Sequence, residues 1–159
     1  MKKLILLCIC LSGCVATGPA FHKEQEPTGS NALVYIYRPS HVSIASDDAN
    51  FYVNGIKIAT LNPGGYTSFY LPSGQYLFKH KWPNIKDHPV RIYANLAPQT
   101  THYYQLTAAA APGLGGAQVM WLFVEVSAGT ALAQLNSRCK FQHPFDIQNI
   151  PPGAPYEEE

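Results

Sequence analysis

Between residues 32 and 107 the chain runs in short apolar stretches rich in Tyr and Phe and poor in charge, alternating most clearly over Gln75–Trp82, and turn residues interrupt them roughly every 8–12 positions. That spacing predicts a mainly β protein, an antiparallel β-sandwich. Ala32 to Arg38 reads as the first strand, with Leu33, Tyr35 and Tyr37 on one face and Val34, Ile36 and Arg38 on the other. Pro39 ends it, because proline cannot donate to the ladder. Phe51–Val53 and Ile56–Leu61 flank Asn54-Gly55, a dipeptide whose residues tolerate the positive φ of a type I′ hairpin. Pro63-Gly64-Gly65 and Pro72-Ser73-Gly74 mark turns on either side of a strand over Tyr66–Leu71. Along Gln75–Trp82 the residues Tyr76, Phe78, His80 and Trp82 share one face, and Leu77, Lys79 and Lys81 the other. Val90–Leu96 and Thr101–Thr107 complete this run of strands.

After Thr107 the pattern changes. Ala108–Ala111 lead into Pro112-Gly113-Leu114-Gly115-Gly116, which reads as a flexible break. Gln118–Val126 is strongly apolar and predicts a buried strand. Ser127 suits a helix N-cap, and Leu132 and Leu135, set among alanines, predict a short amphipathic C-terminal helix reaching about Arg138.

The ends are different in kind. Lys2 and Lys3 precede an apolar run, Leu4–Leu11, then the small residues Ser12 and Gly13, then Cys14. Charge, short apolar core and small residues have the form of an export signal. The run falls short of the about 20 apolar residues that cross a bilayer. Leu11-Ser12-Gly13-Cys14 resembles the lipobox of bacterial lipoproteins. The resemblance implies cleavage between Gly13 and Cys14 and thioether acylation of Cys14 by fatty acyl chains such as palmitate. Each buried CH₂ is worth about 0.8 kcal/mol, so two or more chains hold a protein stably at a membrane. Val15 stands where an aspartate would imply retention in the inner membrane. The implied location is therefore the cell envelope, at the outer membrane on its periplasmic face. Residues 1–13 are then the signal peptide, and 14–31 the lipidated cysteine with a flexible tether, which as a coil of this length would reach about 20–25 Å. Residues 32–140 are the sandwich, and 141–159, rich in Pro and Glu, a disordered tail.

Composition narrows the partners. Cleavage removes Lys2 and Lys3, leaving nine basic residues against ten acidic ones. So near-neutral a chain offers no electrostatic attraction to nucleic acid. Cys8 and Cys10 leave with the signal and Cys14 carries lipid, so Cys139 is the one remaining thiol and no internal disulfide can form. It reads as a small buried apolar residue.

Leu33-Val34-Tyr35-Ile36-Tyr37-Arg38 resembles the opening strand of a bacterial lipoprotein family, the domain of unknown function 2846. Phe51-Tyr52-Val53-Asn54-Gly55 with Ile58-Ala59-Thr60-Leu61 is similar to its next hairpin. Leu71-Pro72-Ser73-Gly74-Gln75-Tyr76 resembles a Pro-x-Gly-x-Tyr turn found there and in PEGA-like surface domains. Val124-Glu125-Val126 and Cys139-Lys140 add to the likeness, which spans about residues 32–140. It implies an envelope β-sandwich and carries no activity with it.

Candidate chemistry is sparse. The histidines at 22, 41, 80, 88, 102 and 143 show no metal-ligand spacing, although His80 and His102 could meet on neighbouring strands. Asp47-Asp48 sits in a turn-like context. No Gly-x-Ser-x-Gly elbow or phosphate loop is present. No metal or cofactor is expected. In adjacent aromatic pairs one member must face outward, which nominates Tyr52, Tyr70, Tyr103 and Tyr104 as a possible binding surface. The expectation is a non-enzymatic binding or assembly module, anchored to the membrane through Cys14, holding an envelope protein or peptidoglycan by a sheet face or edge strand. The alternative is a small envelope hydrolase or transferase with a dispersed site.

Overall fold

A computed structural model describes residues 16–40, 48–83, 89–113, 116–145, 147 and 150–153. The strands are β1 (Asn31–Tyr37), β2 (Ala49–Val53), β3 (Ile56–Leu61), β4 (Gly65–Pro72), β5 (Gly74–Lys81), β6 (Val90–Leu96), β7 (Thr101–Gly113), β8 (Gly116–Glu125) and β9 (Lys140–Phe141). One helix, α1 (Ala128–Arg138), lies between β8 and β9. Two sheets form, ordered β8-β7-β1-β4-β9 and β3-β2-β5-β6. Most pairings are antiparallel; β1–β7 and β4–β9 are parallel. The expected sandwich with a short C-terminal helix is the observed fold.

The alternation along β1 explains the layering. Val34 and Ile36 point between the sheets, where they meet Phe51, Phe78, Tyr104 and Phe123 in the main core. Leu33, Tyr35 and Tyr37 point outward but are equally buried, because α1 and Phe21 cover that face. The five-stranded sheet therefore has a core on each side. Ser127 caps α1 by accepting from the Thr130 amide at 3.3 Å, and Ala131 and Leu135, one turn apart, supply its buried face.

The turns are built as their residues dictate. Asn54 and Gly55 take φ of 47° and 82°, closing the β2–β3 hairpin. The Asn54 side chain also accepts from the Leu77 amide at 2.9 Å. Gly74 has φ of +146°, and a Cβ there would stand 2.4 Å from the Pro152 ring. Tyr76, two residues on, is buried, and its hydroxyl donates back to the Pro72 carbonyl at 2.9 Å.

Four expectations are corrected. The first is the tether. Over 16–31 the chain lies as a strap on the outer core: the Ala16 amide donates to Pro63 O, the His22 amide to the Tyr66 hydroxyl and the Glu24 amide to the Tyr35 hydroxyl, while Ala20 bridges Lys140. The second is the tail as far as Gly153; residues 154–159 lie outside the described residues. Lys140–Phe141 pair with β4, Ile150 is buried, and Asn54 Nδ2 donates to Pro151 O and Gly153 O. The third is the break at 108–116: β7 runs on to Gly113 and β8 starts at Gly116, as one long hairpin. The fourth concerns β8, which is only partly buried, since Val119 and Met120 are exposed.

Candidate functional site

Gly13 and Cys14 lie outside the described residues, as do His41, Asp47 and His88. The four tyrosines divide. Tyr70, on β4, is exposed and donates through its hydroxyl to Gln25 O at 2.7 Å. Tyr52, on β2, is half-buried with Lys81 Nζ 5.8 Å from its ring centre. Tyr103 and Tyr104 do occupy opposite faces, but both are buried. Tyr103 stacks on Tyr35 at 5.1 Å in the outer core, and Tyr104 on Phe78 at 4.8 Å in the main core. Neither can serve as a binding surface: the helix and strap cover a face that strand periodicity alone leaves open.

His80 and His102 do not meet. His80 is on β5 and His102 on β7, in different sheets. His80 is buried edge-on against Trp82, 4.6 Å between ring centres. Burial, reinforced by the Arg38 charge, pulls its pKa down to about 4. Arg38 is itself fully buried, its guanidinium 4.9 Å from the Trp82 ring centre. Among the described residues no group of three or more His, Cys, Asp or Glu is placed to hold a metal. Cys139 is buried and desolvation pushes its thiol up to about 11, which holds it in the unreactive protonated form.

Two arrangements were not legible in the sequence. The first is a chain of side chains: Thr100 Oγ1 lies 2.8 Å from His102 Nε2, and His102 Nδ1 lies 2.7 Å from Glu125 Oε1. The order hydroxyl, imidazole, carboxylate is that of an activated nucleophile. Here, however, the Thr100 hydroxyl donates to Ala97 O at 2.6 Å, so its proton is directed into the β6–β7 turn rather than toward the imidazole.

The second is an open pocket of about 530 Å³ where the strap, the end of β3 and the segment after β9 meet. Asn62, Gln142 and Asp48 are among its lining residues. The Asn62 backbone N–H donates to Gln142 Oε1 at 2.8 Å, and its side-chain Oδ1 accepts from Gln142 Nε2 at 2.7 Å. Asn62 Nδ2 donates to Asp48 Oδ1. Phe145, nearly half exposed, forms an apolar edge with Lys57 Nζ 5.4 Å from its ring centre. The lining pairs hydrogen-bonding groups, among them the single carboxylate of Asp48, with an aromatic face, a mixture suited to binding a polar ligand; among the described residues it does not hold the two opposed carboxylates of glycoside cleavage.

Compared with family models, curated proteins and solved structures, the chain matches none of them.

Proposed function

We propose that this protein is a membrane-anchored bacterial lipoprotein whose sandwich acts as a non-enzymatic binding or assembly module of the cell envelope, at the outer membrane facing the periplasm. The observation that carries the reading is the run Lys2-Lys3, Leu4–Leu11, Ser12-Gly13-Cys14. The strap is in keeping with it, because the buried Ala16, two residues after Cys14 in the sequence, is held to the sandwich by its amide on Pro63 O. A binding role is supported by how the polar groups are engaged. In the pocket Asn62, Gln142 and Asp48 bond one another, and the buried titratable groups His80 and Cys139 lie in the cores.

Intact mass and membrane fractionation of the wild type beside Cys14→Ala test the anchor in a Gram-negative host. The wild type gains acyl mass, loses residues 1–13 and sediments with membranes, while the variant does none of these. A soluble, unacylated wild type overturns the reading.

A second reading, a small hydrolase or transferase, is favoured by the Thr100–His102–Glu125 chain alone. Covalent labelling by an acylating or phosphonylating probe that disappears in Thr100→Ala would establish it; equal labelling of wild type and variant removes it.

A further inference from the structure

The β7–β8 hairpin extends beyond the sheet that supports it. β1 runs alongside β7 only from Thr101 to Gln105, and from Leu106 onward β8 is the strand paired with β7 among the described residues. Trp121, opposite Ala108, still touches Trp82 at 4.6 Å. Past that contact, five rungs from Ala109–Met120 to Gly113–Gly116 remain. At about 3.3 Å per residue they make about 15 Å of two-stranded ribbon.

The ribbon's composition is unusual for a projecting element. No Asp, Glu, Lys, Arg or His occurs from Leu106 to Val124. Val119 and Met120 are 44% and 48% exposed, and as neighbours on a strand they face opposite ways, so both sides of the arm offer apolar surface. An exposed apolar element of this kind marks a contact surface.

Its direction identifies the contact. β7 is parallel to β1, so the arm leaves the body at the end where β1 finishes, with Arg38 bonded to Gly64 and Gly65. At that same end the strap begins, with the Ala16 amide on Pro63 O. Cys14 is two residues earlier and can stand no more than about 7 Å further along the chain. With the strap docked, Cys14 is thus within chain reach of the end from which the arm leaves.

We propose that the β7–β8 arm is a second, non-covalent membrane contact, seated in the lipid interface beside the acylated Cys14. This rests on the lipoprotein reading. The arm stays shallow because, among the described residues, no strand pairs with either of its edges, and hydrocarbon would not satisfy backbone groups there; the headgroup zone, where water reaches them, can. Trp121 at its base suits the same zone. The lipid and the arm together fix one end of the sandwich against the bilayer and turn the opposite end, with the β6–β7 turn, toward the periplasm.

The test uses the full-length acylated protein in a Cys139→Ala background, with an environment-sensitive fluorophore at Met120→Cys, Val119→Cys or, at the opposite end, Ala97→Cys. Each is reconstituted in phosphatidylethanolamine–phosphatidylglycerol vesicles containing spin-labelled lipid, and acylation is confirmed by intact mass. The labels at 119 and 120 show blue-shifted emission and several-fold stronger quenching than the label at 97. If acylated, vesicle-bound protein leaves all three labels in water, the arm proposal is overturned and the anchor stands. Blue-shifted labels that spin-labelled lipid does not quench mean that protein, such as a second copy, covers the arm, which also overturns it. Absence of acyl mass overturns the anchor and, with it, the arm.

Discussion

At the scale of single residues, the unusual groups of this molecule are buried in its cores. His80 is the clearest case. It is 1% exposed, packs on Phe51 and Trp82, and its Nε2 has no hydrogen-bond partner among the described residues. Its pKa falls from 6.5 to about 4, first through desolvation and then through Arg38. The native state therefore refuses a proton that the unfolded chain accepts. Stability is complete above pH 6.5 and declines as pH drops toward 4, by about 3 kcal/mol in all. Urea denaturation from neutral pH down to about pH 4 measures this, and His80→Phe flattens that part of the curve. An unchanged slope in the variant would exclude His80 as its source. Cys139 follows the same logic with the opposite charge. Its thiolate is the disfavoured form, so alkylation of the folded protein stays slow through neutral pH and becomes rapid on denaturation. Fast labelling of native protein would contradict the burial.

At the scale of elements, the strap is the least expected feature, and it depends on one close approach. A Cβ on Gly18 would stand 1.7 Å from the Phe141 carbonyl oxygen, a backbone atom that cannot move aside. Gly18→Ala therefore lifts the strap, breaking the Phe141 amide to Pro19 O bond and the Ala20–Lys140 bridge, at a cost of about 1–2 kcal/mol. Tryptic cleavage after the exposed Lys23 reports it, faster in the variant than in wild type. The elements also show what a sequence can carry. Strand periodicity, the Asn54-Gly55 turn and the Ser127 cap are local, and each was legible because one short stretch contains its whole cause. The strap was not. Its bonds run from backbone amides to the hydroxyls of Tyr35 and Tyr66, far along the chain, and leave no periodic trace. Tyr103 was misplaced for the same reason: its outward face is apolar only because Tyr35 and the strap lie against it. The pocket joins Asn62 to Gln142, eighty residues apart, and no local pattern announces such a pairing.

At the scale of the whole molecule, the two ends of the described chain close the sandwich together. The strap meets β9 at Ala20–Lys140, and the segment after β9 then crosses to the other sheet, where the Phe145 amide donates to Ile58 O and the Gly153 amide to Gln75 O. Ile150, 3% exposed, completes the main core on that route, and Asn54 holds the chain on either side of Pro152. A segment whose Pro and Gly content reads as a tail is thus structural, because its contacts are made by a few apolar side chains and by carbonyls that proline does not remove. Truncation after Gly153 keeps every one of these contacts, whereas truncation after Phe141 deletes all of them but the Ala20–Lys140 bridge. Loss of the buried Ile150 side chain alone amounts to about 1.5–3 kcal/mol. The shorter chain also leaves the Asn54 Nδ2 donor without its two carbonyls and removes Gln142 from Asn62. Thermal unfolding of the two truncations separates the possibilities: the Gly153 form melts with the full-length protein, and the Phe141 form melts well below it. Equal melting of both would mean that the sandwich closes without its C-terminal segment. The pocket between that segment and the strap would then be an accessory to the fold rather than a product of it.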